Sequence, residues 1–149
     1  MPEHFTVLGF DYGRARIGVA CGQTASATAA PLRCLPAREG EPDWAALDRL
    51  LAEWRPARLV VGLPLGPGGE DTELAEAARR FARRLGERYA LPVELHDERH
   101  SSTAARDLHR AQRARGLRRR GRKGDLDPIA AALVLESWLR ERPAKSPAP

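Results

Sequence analysis

The chain has 149 residues, 42% apolar and 30% charged, the size and mix of one globular domain and not of a disordered or fibrous protein. No apolar run approaches the roughly eighteen residues a membrane span needs, and the N-terminus lacks a charged-then-apolar leader, so a cytoplasmic protein without membrane contact is expected. The formal charge of +5 is unevenly spread: residues 106–123 hold nine of the 25 basic side chains and a single acid, Asp107, which makes that segment +8 and the rest −3. Such local basicity resembles a footprint for a polyanion, with nucleic acid the leading partner. Coding bias explains arginine in preference to lysine, but not the clustering.

In chain order, residues 4–10 carry the β-branched and aromatic residues of a strand and end in a turn composition at residues 11–14. The apolar run 17–21 can pair back on it as a hairpin, and 30–35 supplies a third strand. After a loop around Gly40 and Pro42, Trp44, Leu47, Leu50, Leu51 and Trp54 recur at spacings of three and four, predicting a helix that stops before Pro56. Residues 58–63 read as a buried strand. The glycine/proline turn that follows leads to a helix with Asp71 as its expected N-cap and Leu74, Ala78, Phe81 and Leu85 inward. A strand at 92–96, a helix from about Ser102 and a last helix from about Asp127 to Leu139 complete the set. The order predicts an α/β fold: a mixed five-stranded sheet, with an antiparallel three-strand meander on one side, parallel strands on the other and helices on both faces. One domain is expected over residues 1–142, with 143–149 a frayed tail. Cys21 and Cys34 sit in apolar runs and are expected to be reduced packing residues.

The functional crevice of an open α/β sheet lies beyond the carboxyl ends of its parallel strands. Asp11 ends the first strand, Asp97 and Glu98 end the strand that begins at Pro92, and Asp127 follows the basic segment. Carboxylates gathered in one place repel unless a cation compensates them, and magnesium, a hard ion that takes oxygen ligands, suits that role. Two such ions about 4 Å apart activate an attacking water and stabilise the leaving oxygen of a phosphodiester. Each acid also has an ordinary reading. Asp11 fits a turn, Glu98 fits an ion pair with Arg99, and Asp127 before Pro128 fits an N-cap with proline at the first helical position. Capping and metal ligation are compatible.

Four ordered segments then carry a resemblance: residues 9–20 (GFDYGRARIGVA), 60–65 (VVGLPL), 97–99 (DER) followed by Ser101 and Ser102, and 123–132 (KGDLDPIAAA). Together they resemble the motifs of the YqgF family, also called RuvX, over roughly residues 5–140. The resemblance implies an RNase H-like fold similar to the Holliday-junction resolvase RuvC, and a hydrolase that cuts phosphodiester bonds at the 5′ end of pre-16S ribosomal RNA. It makes Asp11, Glu98 and Asp127 both the catalytic and the metal-binding acids, with Mg2+ or Mn2+ as cofactor. Arg14, Arg99, Arg118, Arg119, Arg120, Arg122 and Lys123 are the expected nucleic-acid contacts. The chain departs from the family pattern at Gly66 and Gly68, where Asn and Asp are usual, and at His100, where an apolar residue is usual.

Secondary features read as structural. The loop at 66–69 lacks the lysine and Ser/Thr of a phosphate-binding loop, and Glu70 and Asp71 oppose an anion there, so a simple turn is expected. His96, His100 and His109 have no metal-ligand spacing and are expected at the surface or in packing. Aromatic residues make up 5% of the chain and are absent from the basic segment, which favours recognition by backbone charge and shape over base stacking. The expected partners are pre-ribosomal RNA or branched DNA, with the ribosome or its assembly factors nearby and the chain a monomer or weak homodimer. The competing readings are a junction-resolving DNA nuclease, a non-catalytic RNA-binding assembly factor, and a nucleotide-binding domain of the sugar-kinase and actin type, for which one domain of this length is too short.

Overall fold

Alternation of side chains between the two faces of one sheet organises the described residues. The computed structural model describes residues 4–98 and 123–142, the side chains of 123–127 excepted. The first three runs form β1 (Thr6–Asp11), β2 (Arg16–Gln23) and β3 (Thr28–Arg38), an antiparallel meander in which Asp11 pairs with Gly18 and Ile17 with Leu35. β5 (Arg58–Leu63) runs parallel to β1, and β6 (Val93–Asp97) parallel to β5. Among the described residues the sheet has six strands, not five. Glu41–Pro42, expected within a loop, forms the short strand β4 against Ala37 and Arg38 at the edge, giving the order β4-β3-β2-β1-β5-β6.

Helix α1 (Trp44–Trp54) starts where the Asp43 carboxylate accepts from the Ala46 amide at 3.1 Å, and it ends in a left-handed Arg55 just before Pro56. The cap of α2 (Glu73–Tyr89) is Thr72, not Asp71. Its hydroxyl accepts from the Ala75 amide at 2.9 Å and donates to the Pro64 carbonyl at 3.0 Å, tying the helix start to the loop after β5. Asp71 instead pairs with Arg79 at 2.7 Å. Helix α3 (Lys123–Glu141) begins before Asp127, so Pro128 lies inside the helix and Asp127 is not its N-cap.

Leu8, Phe10, Tyr12, Val19, Leu59 and Val61 point to the face covered by α1 and α2, where they form the larger core with Leu47, Leu50, Phe81 and Leu85. Val7, Ala20 and Val60 point the other way, into a smaller core closed by Ala131, Val134, Leu135 and Trp138 of α3. Small residues let α3 come close: a Cβ on Gly9 would sit 3.0 Å from Leu135, and one on Gly22 2.8 Å from it. Cys21 is buried and Cys34 partly buried, neither in a disulfide among the described residues, and burial raises the Cys21 pKa. The helix expected from about Ser102, most of the basic segment and residues 143–149 lie outside the described residues.

Candidate active site

Parallel register brings the carboxyl ends of β1, β5 and β6 together. Phe10 is opposite Val61, Gly62 opposite His96 and Leu63 opposite Asp97, so Asp11 and Glu98 leave the sheet on either side of β5. Side-chain alternation puts Asp11, in phase with Val7 and Gly9, on the α3 face. The Glu98 carboxyl reaches back over Gly62 and hydrogen-bonds to Asp11. Burial pushes the Glu98 pKa up, the Asp11 hydrogen bond lowers it, and the charge of Asp97 raises it further. A partly desolvated acid held against a second acid favours either a proton or a cation between them.

Two of the three predicted acids are thus brought together. The backbone of Asp127 lies near the start of α3, the helix that packs over this face, while its side chain lies outside the described residues. Among the described residues alone, no group of three potential metal ligands forms. The oxygen-only chemistry of the half-buried Asp11–Glu98 pair nevertheless suits a hard divalent ion.

Gly62 is part of this site in a way the motif reading missed. A Cβ there would fall 2.7 Å from Glu98 Oε2, 3.1 Å from its Cγ and 3.2 Å from Val134. A lone glycine inside a strand pattern is a signal of close approach, and here the approaching group is the predicted catalytic carboxylate.

A second unforeseen feature ties β6 to α3. His96 is buried, and its Nε2 lies 2.9 Å from Oγ of the fully buried Ser137, which donates to Glu141 Oε2 at 3.1 Å. Two residues back along β6, Glu94 accepts from Trp138 Nε1 at 3.0 Å and from Arg58 at 2.5 Å. These bridges hold in register the two elements that carry Glu98 and Asp127. The packing role expected for His96 is what the structure displays. The Ser137 hydroxyl serves as a link between His96 and Glu141, and nothing in its sequence context signals that.

Of the predicted nucleic-acid contacts, Arg14 is exposed on the turn after β1. Arg99, Arg118, Arg119, Arg120 and Arg122 and the side chain of Lys123 lie outside the described residues, as do His100 and His109. The loop at 66–69 is a self-contained turn. The Gly68 amide donates to Glu70 Oε1 at 2.9 Å, and the Gly66 amide to the Glu70 carbonyl at 2.9 Å, so Glu70 occupies the donors an anion would need. No helix among the described residues is long and apolar enough to cross a membrane.

The likeness to known proteins agrees with this arrangement. A relative from Azotobacter vinelandii named "Putative pre-16S rRNA nuclease" is 50% identical over 139 residues, covering 93% of this chain and 95% of its own. One of the same name from Pseudomonas paraeruginosa is 47% identical over 137 residues, covering 92% and 93%. Among solved structures, Thermus thermophilus RuvC in complex with a Holliday junction substrate shares the fold with a TM-score of 0.55, at 20% identity over 94% of this chain and 98% of that one. The model of the RuvX family, described as Holliday junction resolvase, matches residues 5–141, and the chain belongs to that family.

Proposed function

We propose that this protein is a magnesium- or manganese-dependent endonuclease that hydrolyses phosphodiester bonds in structured RNA, processing the 5′ end of pre-16S ribosomal RNA in the cytoplasm. The observation that carries the reading is the Asp11–Glu98 pair, two half-buried carboxyls in contact at the carboxyl ends of parallel strands. The names of its relatives support the substrate.

In this reading Asp11, Glu98 and Asp127 hold the divalent ion. When bound, the ion supplies Lewis-acid activation of a water and stabilisation of the charge that develops on the leaving oxygen. Asp11 and Glu98 would hold it from the ends of β1 and β6, and the proton that joins their carboxyls would leave as it binds, since two ionised carboxylates have no hydrogen to share. The walls of α3, with Val134 over Gly62, limit water around Glu98. Arg14, Arg99, Arg118, Arg119, Arg120, Arg122 and Lys123 bind the phosphate backbone and position the scissile bond, with affinity that falls as salt rises.

A second reading, cleavage of branched DNA, draws support from the description of the family model and from the RuvC fold. Incubating the protein with precursor 16S RNA and, separately, with a synthetic four-way DNA junction, each with and without magnesium, tests both. Magnesium-dependent cutting of the RNA that Asp11→Asn abolishes is expected. Cutting of the junction alone would select the second reading, and equal cutting by Asp11→Asn, or cutting of neither substrate, would overturn both.

A further inference from the structure

A cleft of about 210 Å3 opens on the α2 side of the sheet, between the turn after β1, the turn at Glu39 and Gly40, and α2. We propose that Arg14 and Arg80, beside the Arg84–Glu41 pair that walls this cleft, form a second backbone-phosphate subsite for the nucleic-acid strand whose scissile bond lies at Asp11. This inference rests on the nuclease reading and adds a location for the adjoining strand.

Charge is the first argument. Three guanidiniums line the cleft against two acids, Glu39 and Glu41. Glu41 is already consumed, because Arg84 donates to both of its oxygens at 2.8 Å and Trp44 Nε1 donates to one at 2.8 Å. These donors hold its carboxyl at about 2. Arg84 is thereby fixed in place and also stacks 4.9 Å from the centre of the Trp44 ring. Arg14 and Arg80 are exposed and make no salt bridge among the described residues, which leaves both free to meet phosphate.

Position is the second. Arg14 is three residues beyond Asp11, a span of at most about 11 Å. With the reach of both side chains added, a phosphate on Arg14 and one at Asp11 still fall within a few nucleotides of one strand. The strand would pass from the α3 face over the carboxyl ends of the strands to the α2 face.

Rigidity is the third. The floor is made of Tyr12 and Phe81, buried rings with centroids 5.0 Å apart. The Tyr12 hydroxyl donates to the Gly40 carbonyl at 2.6 Å, and a Cβ on Gly40, whose φ is +86°, would fall 2.7 Å from that hydroxyl. The turn that closes the cleft is therefore locked to its floor, and little ordering is left for binding to impose.

The test uses two arginines of one helix. Arg80 lines the cleft, whereas Arg83 lies on the side of α2 that faces Val93 and Leu95 of β6. Binding of a fluorescein-labelled RNA hairpin with a single-stranded extension is followed by anisotropy across a potassium chloride series, with calcium replacing magnesium. Arg80→Ala is expected to lower the salt slope by about one and to weaken binding about tenfold near 0.1 M salt, while Arg83→Ala matches the unmodified protein. Equal losses in both variants, or a loss in neither, would overturn the subsite. Failure of the underlying reading looks different: Asp11→Asn would then cleave like the unmodified protein, whatever Arg80→Ala does to binding. An unmodified protein that shows no salt-dependent RNA binding would overturn the subsite and the RNA reading together.

Discussion

The two faces of the sheet are built from different materials. Against α1 and α2 the strands present Leu8, Phe10, Ile17, Val19, Leu59 and Val61, a bulky apolar layer whose charged partners, such as Arg84 with Glu41 and Arg88 with Asp48, stay at the exposed rim. Against α3 they present Gly9, Ala20, Gly22 and Gly62 beside Val7 and Val60, and the contacts there include the buried His96–Ser137 pair, the Glu94–Trp138 bond and the Asp11–Glu98 contact. One face supplies apolar burial, which scales with area and tolerates shape changes. The other supplies close approach and polar registration, which a functional site needs and stability alone does not.

That contrast can be broken first at the site. Asp11→Asn should leave the fold intact, by circular dichroism, and reduce magnesium-dependent RNA cleavage by more than about a hundredfold, since loss of a ligand exceeds the 10–100-fold typical of losing a ligand's supporting partner. On the opposite face the effect should reverse. Leu50→Ala, which empties part of the fully buried α1 contact, should cost about 2–5 kcal/mol in urea unfolding while cleavage per folded molecule is retained. Gly62→Ala sharpens the comparison, because the added methyl collides with the Glu98 carboxylate. Manganese affinity, read by calorimetry, should fall about 10–100-fold, with a stability change of at most about 1–3 kcal/mol.

The smallest effect belongs to the rim. Hydrogen bonds from Arg84 to Glu41 and from Arg88 to Asp48 lower both carboxyls, to about 2 in each case, from ordinary values of 4.5 and 3.8. A carboxyl lowered in the folded state stabilises the protein above its ordinary value, and that contribution is lost as pH falls toward the folded one. Stability measured from pH about 5 down to about 2 should therefore decline less steeply in the double variant Glu41→Gln, Asp48→Asn than in the unmodified protein.

Much of this organisation was legible in the residues. Helical spacing of Leu47, Leu50 and Leu51, the apolar run at Val60 and Val61 and the turn at Gly13 located α1, β5 and the end of β1, because burial on a regular element leaves a period in the sequence. Strand ends placed Asp11 and the neighbours Asp97 and Glu98 at the crevice, and the family resemblance singled out Glu98. What escaped depended on tertiary partners. Glu41–Pro42 is too short for a period and becomes β4 only by pairing with β3. Asp71 and Thr72 are both good caps, and the Thr72 hydroxyl wins through the Pro64 carbonyl that folding brings to it. Pro128 suggested a helix start at Asp127, whereas α3 begins at Lys123. The partners of Ser137 are 41 residues away at His96 and one helical turn away at Glu141, and only the first of these requires the sheet.

The most direct test of the central claim is the anomalous scattering of manganese in crystals of the unmodified protein. Strong density between the carboxyl oxygens of Asp11 and Glu98, joined by Asp127 and lost in Asp11→Asn crystals, is the predicted result. Manganese bound elsewhere, or none at concentrations that support cleavage, would contradict it.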